Sequence, residues 1–231
     1  VWGCTIQESF DKLLEVGDYT REKKENRKMV YRNMHGYKIS QYVVLASLLN
    51  LVITIVLQIL PDSLMESYMN GSVSYIGETD IWFAVLGMGV LAPIAEEISF
   101  RYFMINTLKK REVCLDFDED SRFIKRLPEQ LQNILSYFND ETYMAVLISS
   151  FAFGIVHGNL VQGIYCFILG MIFAVANEHE KSLLPGIVMH ITINTSSVII
   201  GSVLPSEYEI IGLAVVFVMA CAVASLNRDN Y

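Results

Sequence analysis

Positive charge is missing from most of this chain. Of its 17 Lys and Arg residues, seven fall between residues 21 and 38 and six between residues 109 and 126; Lys12, Lys181 and Arg228 stand alone, and Arg101 is the one cation inside a long apolar run. Residues 61–80 carry only the acidic charges of Asp62, Glu66, Glu78 and Asp80, and the 205–209 turn has no Lys or Arg. Paired cysteines are missing too. Cys4, Cys114, Cys166 and Cys221 are scattered with no C-x-x-C, which argues against a disulfide framework. The acidic run at 116–121 fails as an EF-hand loop, because the positions that require glycine and glutamate hold Ser121 and Leu127. No internal repeat is visible, which counts against a transporter built from inverted halves. No cleavable signal peptide is read, since about forty mostly polar residues precede the first apolar run. The opening Val1 fits a trimmed or partial chain.

What is present is apolar sequence in long runs. Hydrophobic residues make up 53% of the chain and charged residues only 18%, a balance outside the range of ordinary soluble domains. Six runs, 42–60, 81–108, 142–157, 160–176, 183–204 and 210–226, are long enough to cross a bilayer or nearly so. Backbone groups in hydrocarbon must be satisfied within the segment, so these runs are predicted to be helices. The expected fold is all-α: a single polytopic membrane bundle over 1–231, with little room for a separate soluble domain. Residues 81–204 form its core.

Lys and Arg favour the cytoplasmic side of short loops, and their distribution predicts that both chain ends and the 109–141 loop are cytoplasmic and that 61–80 is not. The formal net charge of −8 hides this segregation. The basic stretch within 1–40 reads as a topology signal against anionic lipid, with no nucleic-acid partner. Within 109–141, Leu127, Leu131, Ile134, Leu135 and Phe138 recur at helical spacing and predict an amphipathic helix on the membrane surface.

An ionisable residue near the centre of a span costs about 2.5 to 3.5 kcal/mol on insertion scales, so each is a functional hypothesis. The second run contains three: Glu96, Glu97 and Arg101. Glu97 and Arg101 are four apart on a helix and can pair. Glu96 points about 100° away and lacks that partner. In "FAFGIVHGN", His157 follows Phe153 by four residues within a Gly154 to Gly158 small-residue spacing that permits close helix approach; in "MHITINTS", Asn194 follows His190 by four. Converging from three spans, Glu96, His157, His190 and Asn194 would supply a base, a second proton handler and paired donors, as attack of water on an amide requires. Straight, perpendicular helices would not bring them level. At about 1.5 Å per residue from the cytoplasmic ends, Glu96 lies roughly 18 Å deep, His157 roughly 22 Å and His190 roughly 10 Å, so tilt, a raised third span or a break at Pro93 is needed.

"EEISFR" fits E-E-x-x-x-R, "FGIVH" fits F-x-x-x-H and "HITIN" fits H-x-x-x-N, in order on successive hydrophobic runs. In these motifs the chain resembles the CAAX protease and bacteriocin-processing family, also called the Abi family, of glutamate-dependent intramembrane endopeptidases, over roughly residues 81–204. The resemblance implies that Glu96 activates water with His157 assisting, that His190 and Asn194 form the oxyanion site, and that Glu97, Arg101 and Phe153 hold the geometry. It implies hydrolysis of a membrane-associated peptide or protein without a cofactor; the expected location is an integral, multi-pass one in a bacterial plasma membrane. Two readings compete. Glu96, His157 and His190 are also a zinc ligand set, although the H-E-x-x-H signature is absent. A scaffold or bacteriocin-immunity protein would use the same polar cluster for binding and cleave nothing.

Overall fold

The structure is a computed structural model that describes residues 36–61, 63–65, 68, 80–114 and 124–228. The basic segment up to residue 35, most of the 61–80 stretch and the acidic run at 116–121 lie outside the described residues. Among the described residues all regular structure is helical: α1 (Gly36–Gln58), α2 (Ile81–Lys110), α3 (Glu129–Phe138), α4 (Glu141–Ile155), α5 (Leu160–Glu180), α6 (Leu184–Val203) and α7 (Glu209–Arg228). Five of these, α1, α2, α5, α6 and α7, are long and apolar enough to cross a membrane, and α4 is a shorter apolar helix. The chain is thus an all-α, multi-pass membrane protein, compatible with about six spans.

Local chemistry sets the ends. Asp140 caps α4 by accepting from the Thr142 and Tyr143 amides, and Asn159 caps α5 by accepting from the Gln162 amide. Lys181 ends α5 in the left-handed conformation (φ 51°), and Pro185 occupies the first turn of α6, where its missing N–H is not needed. Two boundaries differ from the sequence reading. The fourth run ends at Ala176 by hydropathy, but α5 continues to Glu180, because Asn177 is buried within the protein. The third run includes His157, but α4 stops at Ile155 and His157 lies in the turn that follows. Gly158, at φ 68°, lets the chain reverse there.

The helices pack inside out relative to a soluble bundle. Large apolar side chains such as Val52, Ile55, Phe103, Ile168, Val218 and Leu226 are exposed, while Asn50, Glu97, Arg101, Ser149, Ser150, Asn177 and His190 are buried. Interhelical contact in lipid rests on small residues and hydrogen bonds, because burying an apolar side chain gains little there. α6 is central and packs against α1, α2, α5 and α7. Asn50 of α1 donates to the Ser196 and Ser197 hydroxyls at 3.0 Å, and Ser197 donates back to its Oδ1 at 3.2 Å. α4 and α5 approach through glycine: a Cβ at Gly154 would come within 2.5 Å of the Gly163 carbonyl. The close approach therefore pairs Gly154 with Gly163. Gly158 has open space around it and serves the turn instead.

Candidate active site

The second apolar run forms one helix, but its register is not uniform. α2 runs as α (Ile81–Ala84), π (Val85–Leu91), α (Ala92–Glu96), π (Glu97–Met104) and α again to Lys110. Pro93 thus does not break α2; it sits in the α turn between two π stretches. Proline has no N–H to offer, and membrane helices re-satisfy the carbonyls it leaves through π adjustments and neighbouring side chains. Both occur here. The Ala92 amide bonds to the Gly87 carbonyl five residues back, and three carbonyls in the π stretches accept from other helices. Ser149 of α4 donates to the Phe100 carbonyl at 2.7 Å, Asn194 of α6 to the Met88 carbonyl at 3.2 Å, and Thr195 to the Gly89 carbonyl at 3.1 Å.

The two adjacent carboxylates have opposite environments. The Glu97 side chain is wholly buried and the Glu96 side chain is about one-third exposed (34%). Arg101 Nε lies 3.5 Å from Glu97 Oε2. Asn177 Nδ2 donates to the same oxygen at 3.3 Å, and the Gly186 amide in the first turn of α6 donates to Asn177 Oδ1 at 2.7 Å. Glu97 Oε1 faces His190 Nδ1 at 3.3 Å. Glu97 therefore ties α2 to both α5 and α6. No side chain fits at position 186, since a Cβ there would meet Glu97 Oε2 at 2.5 Å and Asn177 Nδ2 at 2.6 Å.

Arg101 is balanced partly by charge and partly by aromatic faces. Its guanidinium sits 4.3 Å from the Phe153 ring centroid, with Phe173 at 5.9 Å and Phe100 at 6.0 Å, within the range of cation–π attraction. Its three nitrogens are buried without a hydrogen-bond partner among the described residues. Phe153, itself 1% exposed, also meets the rings of His157 and His190 edge-on, at 4.9 and 5.5 Å between centroids. One aromatic ring thus sets the position of the guanidinium and both imidazoles.

His190 joins the two carboxylates, with Nδ1 toward Glu97 and Nε2 3.6 Å from Glu96 Oε2. Glu96 and His190 therefore meet despite the depth difference counted from straight helices, with the π stretch Glu97–Met104 lying between Glu96 and the nearer end of α2. His157 is placed differently from a residue in mid-helix. Its Nδ1 lies 2.7 Å from the Phe153 carbonyl, an acceptor only, so that nitrogen carries the proton. Nε2 is left for other chemistry. Among the described residues no hydrogen bond or ion pair joins His157 to Glu96, His190 or Asn194.

Of the residues singled out from sequence, Glu96, Glu97, Arg101, Phe153 and His190 form one contiguous cluster. Asn194 is tied to α2 through Met88, and His157 reaches the cluster through Phe153. Among the described residues no three His, Cys, Asp or Glu side chains form a group that could hold a metal ion. Sequence reasoning missed Asn177, Gly186 and Thr195. The signal for Asn177 was an amide directly after a span, followed by the charged Glu178, His179 and Glu180.

Residues 78–196, just over half of the chain, match a family model described as type II CAAX prenyl endopeptidase, Rce1-like. The match covers α2 through most of α6 and leaves α1 and α7 outside. No curated protein and no solved structure matches the chain.

Proposed function

Because the chain belongs to the Rce1-like family of type II CAAX prenyl endopeptidases, we propose that it hydrolyses a peptide bond of a membrane-associated substrate with water activated by Glu96. The observation that carries this reading is the asymmetry of the carboxylate pair. Glu97 is buried and fully engaged by Arg101, Asn177 and His190, whereas Glu96 is partly exposed and has one imidazole nitrogen beside it. A purely structural pair would have no use for the second, costly carboxylate.

In this mechanism Glu96 takes a proton from water as the oxygen attacks the scissile carbonyl, and later returns it to the leaving amine. His157, with its proton held on Nδ1 by Phe153, presents Nε2 as the assisting acceptor. The developing oxyanion is stabilised by Asn194, whose amide has a second N–H beyond the one given to Met88, and by His190 through Nε2. No metal takes part. The family name points to a prenylated C-terminal CAAX segment as the substrate class. The decisive experiment incubates the purified protein in liposomes with a farnesylated CAAX peptide and its unprenylated counterpart, with and without chelator, and identifies products by mass. Chelator-resistant release of the three C-terminal residues from the farnesylated peptide is expected. Cleavage that disappears with chelator and returns with zinc would overturn the metal-free step, and absence of any cleavage would favour the scaffold reading.

The orientation follows from charge. We place both chain ends and the 109–141 loop on the cytoplasmic side, because every Lys and Arg except Arg101 falls on that side in this arrangement. In a background with Cys4 and Cys114 replaced by serine, Ser63→Cys is expected to react with an impermeant thiol reagent on intact cells, and Glu112→Cys only after lysis. The opposite pattern would invert the topology.

A further inference from the structure

The carbonyls around Pro93 show how α2 is held in register, and one of the two residues that hold them, Thr195, is not among the motif positions. In the α register Pro93 would donate to Gly89, and in the π register of Val85–Leu91 it would donate to Met88; as proline it donates to neither. Two consecutive residues of α6 reach these carbonyls, Asn194 to Met88 and Thr195 to Gly89.

The behaviour of the neighbouring hydroxyls makes the Thr195 contact informative. A Ser or Thr inside a helix ordinarily bonds back to its own helix. Thr192 does so, to the Val188 carbonyl at 2.7 Å, and Ser196 does so, to the Thr192 carbonyl at 2.6 Å. Thr195, between them, crosses to α2 instead. Gly89 makes the crossing sterically feasible: a Cβ there would lie 2.8 Å from Thr195 Oγ1 and 3.3 Å from its Cα. The helices touch at this point, and a hydroxyl fills the space a side chain would take.

We infer that Thr195 is a positioning residue, whose hydroxyl supplies a donor that Pro93 denies to α2 and so locks the helical register that presents Glu96 to His190. The reason is rotational. Each residue of an α-helix turns the next by about 100°, so slippage by one residue between the α and π registers upstream of Glu96 would swing its carboxylate away from His190. The contacts at Met88 and Gly89 fix the stretch just before Glu96, and the Glu97–His190 contact fixes the residue just after it.

The test is a double-mutant cycle between Thr195→Val, which keeps shape and removes the donor, and Pro93→Ala, which gives α2 back an N–H. Apparent unfolding midpoints are read for the four proteins in one detergent. Thr195→Val is expected to lower the midpoint by about 2–4 °C beside Pro93, the size of one hydrogen bond in a chain of this length, and to have much less effect combined with Pro93→Ala. Recovery of folded Thr195→Val protein only when Pro93→Ala is also present carries the same meaning. An equal loss in both backgrounds, or failure to fold in both, makes Thr195 a packing residue and overturns the inference. This arm does not depend on proteolysis. A second arm rests on the endopeptidase reading: Thr195→Val lowers kcat about three- to tenfold with KM little changed, and Thr195→Ser, which keeps the hydroxyl, restores it. Failure of Thr195→Ser to restore kcat would also overturn the assignment, while a stability cycle that holds in a protein that cleaves nothing would count against the endopeptidase reading alone.

Discussion

Glu96→Gln is expected to yield a folded protein whose peptide cleavage falls by about 10² to 10⁴, the usual loss when one proton-transfer group is removed. The substitution is nearly isosteric and keeps a hydrogen-bonding end group but cannot accept the proton from water. Because the Glu96 side chain is about one-third exposed and lies 3.6 Å from His190 Nε2, the change is expected to leave the buried Glu97 cluster intact. The unfolding midpoint should therefore stay near that of the wild type. The measurement pairs initial cleavage rates in liposomes with that midpoint. A folded Gln variant that cleaves at the wild-type rate would remove Glu96 from the mechanism and leave its presence in a span unexplained.

Arg101→Ala is expected to act on folding first. The side chains of Arg101 and Glu97 are both wholly buried, 3.5 Å apart, and removing one partner of a buried pair typically costs about 3–5 kcal/mol because the other charge is stranded. Here the loss is compounded by an emptied space among Phe153, Phe100 and Phe173. The yield of monodisperse protein in detergent should drop sharply, with activity lost in proportion to the folded fraction and more. Arg101→Lys keeps the charge but not the planar stack on Phe153, so it should recover only part of the yield. Wild-type yield for Arg101→Ala, together with a purely catalytic defect, would mean that the guanidinium acts on substrate and that the division of labour between the two carboxylates is wrong. Glu96→Gln and Arg101→Ala thus separate chemistry from scaffold along one helix.

Legibility follows the range of the interactions. Glu97 and Arg101 could be paired from spacing because four residues bring side chains onto one face in an ordinary helix, and the contact survives even though the stretch is π. The end of α5 could not be read: hydropathy stops at Ala176, and only the partners of Asn177, the Glu97 carboxylate and the Gly186 amide, explain why an amide continues the buried helix. The sequence places His157 at the end of a helical run, because nothing in "FAFGIVHGN" says on which side of the histidine the helix stops. That is decided by Gly158 adopting φ 68° and by α5 folding back against Gly154.

By itself the sequence determined the solvent of this protein and the ingredients of its chemistry. Apolar runs of span length can be nothing but helices in hydrocarbon, because each backbone group must find its partner within the run. The charged residues that interrupt them must be there for a reason, because their insertion is costly. Tertiary structure alone decided which ring nitrogen meets which carboxylate, which of two adjacent glutamates is sealed and which stays open, and in what register the helix bearing them is held. Those depend on contacts between residues about a hundred positions apart, such as His190 with Glu97 and Thr195 with Gly89. No local spacing encodes them, since they form only when α5 and α6 have packed against α2 and the carbonyls around Pro93 have found their donors on a neighbouring helix.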